Sequence, residues 1–236
     1  MTAGLETVLI TGTNRGIGAA MEKAFLSNGW QVISCMRTLP DQTQQPPSPQ
    51  TSLIRLELDI TNQSQLDNIF QLLEKKNLTL DVLINNAGIF PEPTDMSFKQ
   101  LDLEWFEKAM EVNFQGTIRV TQKLLPLMAN SNNPRIINLS SGASSITQRS
   151  GRRYCYGASK AALNHFTRGL AVELKPEGIT VVALSPGWVK TDMGGEEADL
   201  EPEDVGISIE KTVESLRIEK TGEFLDRYGN TGTYAW

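Results

Sequence analysis

Short apolar runs alternate with amphipathic stretches along most of the chain. TVLIT, QVISCM, LIRLEL, LDVLINNA, IINLSS and TVVALSPG are nearly continuous in apolar residues, the pattern of strands buried on both faces by helices. Between them run segments of helical period: one through Ile17, Met21, Ala24 and Phe25, one from about Leu101 to Met128, and one from about Tyr154 to Leu174. This alternation predicts an α/β fold, a doubly wound parallel sheet with helices on both faces. The pattern continues until GEFLDRYG, which supplies a last strand, so residues 1–236 read as a single domain. PDQTQQPPSPQ is the one low-complexity stretch, and its prolines and glutamines favour an extended, solvated loop.

Composition narrows the partners. The chain of 236 residues is 39% hydrophobic and 21% charged, with a formal net charge of −6, and its pI is near 5.0. With no block of Lys or Arg, it lacks the electrostatic footprint of a nucleic-acid or anionic-membrane binder. No stretch approaches the roughly 20 apolar residues of a membrane span. The apolar pattern starts at ETVLITG without the features of a secretory signal. Cys35 and Cys155 are far apart and form neither a zinc pattern nor a disulfide framework, so no metal site is expected and a reducing cytoplasm is the plain reading.

Four stretches carry candidate chemistry. TGTNRGIG, Thr11 to Gly18, follows the first strand and opens the first helix. Glycines there let backbone approach a ligand, and the amides of a helix N-terminus favour phosphate, as in a Rossmann-type dinucleotide site. A Walker loop is excluded because no Lys follows the last glycine. The second strand ends in Cys35-Met36-Arg37 rather than in the acidic residue that accepts from adenosine ribose hydroxyls. Arg37, with Arg15 in the glycine turn, offers two guanidinium groups to a 2′-phosphate, favouring NADP(H) over NAD(H).

YCYGASK contains two tyrosines and one lysine. Tyr156 and Lys160 are four apart and share a helix face, whereas Tyr154 is six from Lys160 and points about 240° around the helix. An ammonium near a phenol favours the phenolate, so Lys160 is expected to lower the Tyr156 pKa from about 10 towards neutrality. In IINLSS, Ser140 and Ser141 lie at the carboxyl end of a strand, where ligands sit in open α/β sheets. A serine hydrolase is disfavoured: GASSI lacks the last glycine of a nucleophile elbow, and the single histidine, His165, reads as a partly exposed helix residue.

Together these residues resemble the short-chain dehydrogenase/reductase family over nearly the whole chain. TGTNRGIG is similar to its TGxxxGIG turn, including Gly12, Thr13, Asn14, Arg15, Gly16, Ile17 and Gly18. By the same resemblance, LDIT places Asp59 and Ile60 at the adenine and NNAG places Asn86, Ala87 and Gly88 on the cofactor. PGWVKT does so near the nicotinamide with Pro186, Gly187, Val189 and Thr191. Asn113, Ser141, Tyr156 and Lys160 match its catalytic tetrad. The long gap SITQRSGRR leaves Ser144 and Ser145 as competitors for the serine role, although Ser141 ends the strand. That gap, the double tyrosine and PGWVKTDMGG resemble a carbonyl-reductase subgroup of sniffer and C-factor type.

The resemblance implies NADPH-dependent reduction of an aldehyde or ketone, or the reverse alcohol oxidation. Tyr156 would donate the proton, Ser141 would hold the carbonyl oxygen, and Lys160 would also hydrogen-bond the nicotinamide ribose. Asn113 would bend its helix and hold a water that relays protons to Lys160. Trp188, Phe90 and Met193 are candidates for an apolar substrate wall, with residues at about 190–220 forming a short substrate-side region. The implied assembly is a homodimer or homotetramer. Two rivals stand beside it: a cofactor-binding signalling protein of C-factor type, and a sugar-nucleotide epimerase or dehydratase, which the TGxxxGIG spacing disfavours.

Overall fold

A computed structural model describes residues 5–40, 52–149 and 151–236 of the chain. Strand β1 (Thr7–Thr11) leads through helix α1 (Gly16–Ser27) to β2 (Gln31–Met36). Strand β3 (Leu53–Glu57), helix α2 (Gln63–Lys75) and β4 (Val82–Asn85) follow. Helix α3 (Leu103–Met110) passes through a π-helical turn (Glu111–Gly116) into α4 (Thr117–Leu124). The chain ends with β5 (Arg135–Leu139), α5 (Tyr154–Leu174), β6 (Thr180–Ser185), α6 (Pro202–Ser215) and β7 (Phe224–Asp226).

The strands form one parallel sheet in the order β3-β2-β1-β4-β5-β6-β7. Successive side chains of a strand point to opposite faces. Leu9 of β1 therefore packs on the side of Leu66 and Leu124, while Val8 and Ile10 meet Met21, Phe25 and Val205 on the other. Both faces are covered, as the continuous apolar runs require. All but the low-complexity loop of the expected organisation lies within the described residues; of PDQTQQPPSPQ only Pro40 does.

The helical region expected from about Leu101 to Met128 consists of α3, the π turn, α4 and a 3₁₀ turn at Leu125–Met128, joined end to end. Much of the 190–220 stretch is α6, which packs against α1 and buries Val205, Ile209 and Val213. The helices approach closely because Gly206 has no side chain: a Cβ there would lie 2.7 Å from the Ala20 backbone. The sheet order reverses between β1 and β4, which opens a crevice at their carboxyl ends.

Candidate active site

A cleft of about 550 Å³ occupies that crevice. Its floor is the turn from β1 into α1. Gly12 has φ 75°, and a Cβ on it would lie 2.9 Å from Ala87 Cα, so the glycine turn and the NNAG turn can touch only without a side chain. A Cβ on Gly18 would collide with the Gly12 carbonyl oxygen. Asn86 stitches the two turns together, its Nδ2 donating to Thr11 O at 2.8 Å and Gly12 O at 3.0 Å. The Thr11 hydroxyl accepts from the Asn86 and Ala87 amides, each at 3.1 Å.

The donor set suits a phosphate. Arg15 at the N-cap of α1 makes no side-chain capping bond, and the first helical turn carries no acidic residue. The first-turn amides are thus left to an anion in the cleft. Arg37 stands exposed on the rim, close enough to Asp59 for its charge to act on that carboxyl. Burial pushes the Asp59 pKa up, but the Thr61 hydroxyl and amide and the Arg37 charge hold it below the usual carboxylate value.

Arg15 and Arg37, the two guanidinium groups expected at a 2′-phosphate, both line the cleft. The Arg15 guanidinium is ion-paired with Asp192, across from the glycine turn; Arg37 has no such carboxylate partner among the described residues, and Asp59 is its acidic neighbour. Of the other expected cofactor residues, Asn14, Gly16, Ile17, Ile60, Gly88, Pro186 and Thr191 also line the cleft. Thr13, Gly187 and Val189 do not. Thr13 is buried beneath the turn with its hydroxyl on Cys35 O, and Val189 is in the core.

At the far end of the cleft α5 brings in Tyr156 and Lys160. Lys160 is only 4% exposed, its Nζ donating to Leu139 O at 2.7 Å and standing 5.8 Å from the centre of the Tyr156 ring. Burial lowers its pKa to about 8. The Tyr156 phenol moves the opposite way from expectation: burial raises its pKa, against the lowering effects of a Ser141 hydrogen bond and the Arg153 charge. Lys160 is not what sets the phenol here, because its ammonium is turned to the end of β5. A tyrosine with a raised pKa is a protonated acid at neutral pH.

The serine hydroxyls at the end of β5 differ in their neighbours. Ser144 Oγ donates to Ser141 O at 2.6 Å and accepts from Asn164 Nδ2 at 2.8 Å. Ser145 Oγ accepts from the Gln148 amide at 3.3 Å, and Ser140 Oγ donates to Asn164 Oδ1 at 2.6 Å. Ser141 Oγ accepts from the Ala143 amide at 3.1 Å and acts on the Tyr156 phenol to lower its pKa, although Ser140, not Ser141, lines the cleft. Tyr154 points away, packing on Phe98 with ring centres 5.9 Å apart and under the Arg149 guanidinium.

Asn113 lies fully buried in the π turn. Its Oδ1 accepts from Ile89 N at 2.7 Å, and its Nδ2 donates to Ile89 O at 2.9 Å and to Ser159 Oγ at 3.0 Å. A Cβ on Gly88 would sit 3.1 Å from Asn113 Oδ1 and 3.5 Å from Lys160 Nζ, so this glycine admits both groups to one spot. Phe90 meets the Tyr156 ring edge to face at 5.3 Å. Met193 lines the cleft, while Trp188 is 46% exposed with its indole N–H on Gly194 O. His165 is exposed on α5.

Several contributors had no signature of their own. Leu139 acts through a backbone carbonyl, and Ser159 donates to Tyr156 O while holding Asn113. Glu92, beside proline in FPEP, accepts from the Tyr156 amide. Tyr234 packs on Gly142, next to Ser141, so that a Cβ on that glycine would lie 2.8 Å from its ring. That contact brings the last residues of the chain to the serine.

A parallel sheet with a glycine turn at its switch point, free helix amides and a Tyr-xxx-Lys pair defines a Rossmann-type dinucleotide-binding protein. The family model described as short chain dehydrogenase matches residues 6–201. The chain belongs to that family of oxidoreductases. It is similar to C-signal of Myxococcus xanthus, 35% identical over 151 residues that cover 64% of this chain and 90% of the relative. Carbonyl reductase Sniffer of D. melanogaster superposes with a TM-score of 0.90 at 32% identity, over 99% of this chain and 100% of that one. The NADPH-bound carbonyl reductase from chicken fatty liver gives a TM-score of 0.87 at 30% identity, over 98% and 99% of the two chains. Among the described residues, no helix is long and apolar enough to cross a membrane, and no group of three or more metal-ligating side chains forms.

Proposed function

We propose that this protein reduces an aldehyde or ketone with NADPH. The observation that carries the reading is the convergence of Tyr156 and Lys160 at the inner end of the cleft, with Ser141 beside the phenol. NADPH when bound supplies the hydride. The α1 amides and Arg37 suit its phosphates, and the carbonyl reductase from chicken fatty liver binds that cofactor in the same fold. Tyr156 holds the proton that the carbonyl oxygen takes up, and its raised pKa keeps that proton in place at neutral pH. Ser141 hydrogen-bonds the same oxygen and orients the phenol. Lys160, charged below about pH 8, adds a positive field to the end of the cleft where negative charge develops. Asn113 holds Ile89 and thereby the cofactor-side turn. Phe90 and Met193 give the substrate an apolar wall.

The test is the fall in NADPH absorbance with a panel of carbonyls, quinones and dicarbonyls, NADH being run in parallel. Tyr156→Phe is expected to abolish turnover while cofactor binding persists, and Tyr154→Phe to leave most activity. Equal loss in both variants would sink the assignment. The similarity to C-signal supports a second reading, in which the bound cofactor is structural and surface contacts carry a signal. A wild-type protein that binds NADPH but consumes none across the panel favours that reading. The assembly we propose is a homodimer or homotetramer, which sedimentation equilibrium measures directly.

A further inference from the structure

The entrance to α5 is unusual in its backbone. Gly151, Arg152 and Arg153 all have positive φ, at 88°, 50° and 51°, and two consecutive non-glycine residues in the left-handed region are costly. The Arg149 guanidinium binds the Arg152 and Arg153 carbonyls and holds this bend. Arg153, at the N-cap, supplies no side-chain bond to the first-turn amides. A helix of 21 residues therefore starts without a cap of its own, and Tyr156, the tyrosine that the proposed reaction uses, lies in its first turn, after Tyr154 and Cys155.

Glu92 fills that role from another part of the chain. It follows Phe90 in the loop after β4, is 2% exposed, and its Oε1 accepts from the Tyr156 amide at 2.9 Å. Its Oε2 is buried with no hydrogen-bond partner among the described residues. A carboxylate so placed is expensive to desolvate, and the positive end of the α5 dipole offsets part of that cost. We propose that Glu92 is a positioning residue for Tyr156, a surrogate cap that locks the Phe90 loop and the first turn of α5 together. The inference rests on the carbonyl-reductase reading for the meaning of Tyr156, but not for the contact itself.

Two consequences follow from one carboxylate. The bond fixes the backbone of Tyr156, while Phe90 braces its ring from the same loop. The negative charge also disfavours the phenolate, alongside the larger effect of burial. The other groups facing the phenol are Ser141 from the end of β5, and Arg153 and Lys160 from α5. Cys155 adjoins it as a buried thiol whose pKa is raised by burial and by Glu92 and Asp102. Burial is what chiefly keeps the phenol protonated, and Glu92 is the acidic group that adds to it against Arg153.

Glu92→Gln keeps an acceptor for the amide and removes the charge; Glu92→Ala removes both. With NADPH and a carbonyl substrate, E92A is expected to lower kcat about tenfold or more, as misplaced catalytic groups do, with KM for NADPH unchanged. E92Q should restore most of that loss. Tyrosinate absorbance, read as the difference between each protein and its Tyr156→Phe partner, should show Tyr156 titrating at lower pH in E92Q than in the wild type. Equal kcat in E92A and the wild type, or a Tyr156 titration unmoved in E92Q, overturns the proposal. If E92A does not fold, the E92Q titration decides alone. If the wild type reduces no carbonyl, the functional reading fails, and the titration still judges Glu92.

Discussion

Replacing Lys160 with methionine should stabilise the protein while destroying its reaction. The side chains have similar length, but Lys160 is charged in a site that is 4% exposed, and burial brings its pKa from 10.5 down to about 8. At roughly 1.4 kcal/mol per pKa unit, that gap is a destabilisation of about 3 kcal/mol wherever the lysine is protonated in both folded and unfolded chains. Methionine gives up the bond to Leu139 O, at about 1–2 kcal/mol for a buried acceptor left unpaired. The net expectation is a K160M variant about 1–2 kcal/mol more stable at pH 7, with Tm up by roughly 2–8 °C for a domain of this size. The sign is tested by pH. Below about 8 the wild type carries the whole penalty; between about 8 and 10.5 the unfolded chain binds the proton and the folded one does not, so wild-type stability rises with pH. Urea midpoints at pH 7 and pH ~9.5 should therefore converge for the two proteins. A K160M variant less stable than the wild type at pH 7, or an advantage equal at both pH values, would refute the account of Lys160 as a buried charge.

Asn113→Ala strands the Ile89 amide and carbonyl and frees Ser159, and because Ile89 is half-buried, water repairs part of the loss. A destabilisation of about 2–4 kcal/mol is expected in urea unfolding, and a value below ~0.5 kcal/mol would remove Asn113 as the clamp on the cofactor-side turn. Arg37→Asp should weaken NADPH about 10–100-fold in a fluorescence titration, the scale of one lost charge-assisted phosphate bond, and leave NADH nearly unaffected. Equal weakening of both cofactors would place Arg37 away from the 2′-phosphate. Carbonyl reduction should fall as pH rises through about 8, when Lys160 loses its charge, with no matching fall from pH ~6 to 7. A rate that climbs through that alkaline range would mean that the phenolate, not the phenol, is the working form.

What could be read from sequence divides along a physical line. Spacing and period are local, so the strands, TGTNRGIG and the placement of Tyr156 rather than Tyr154 in the cleft with Lys160 were legible: a helix puts residues four apart on one face whatever surrounds it. Environment is not local. The π turn at Glu111–Gly116 has the same apolar period as the helix expected there, and only its packing around buried Asn113 separates the two. Leu139 serves through a carbonyl that any residue would carry, Arg15 finds Asp192 from far along the chain, and Glu92 reaches α5 across a loop. The same limit explains the direction of the tyrosine. From sequence, an ammonium four residues away dominates a phenol; in the fold that ammonium faces Leu139, and burial governs both groups. Desolvation pushes lysine towards its neutral form and tyrosine towards its own neutral form. A phenol that sequence reads as brought towards neutrality by its lysine is therefore, in this fold, held in its protonated form by burial, beside a lysine whose pKa burial lowers to about 8. On the proposed carbonyl-reductase reading, that pairing suits giving a proton to a carbonyl better than taking one from an alcohol.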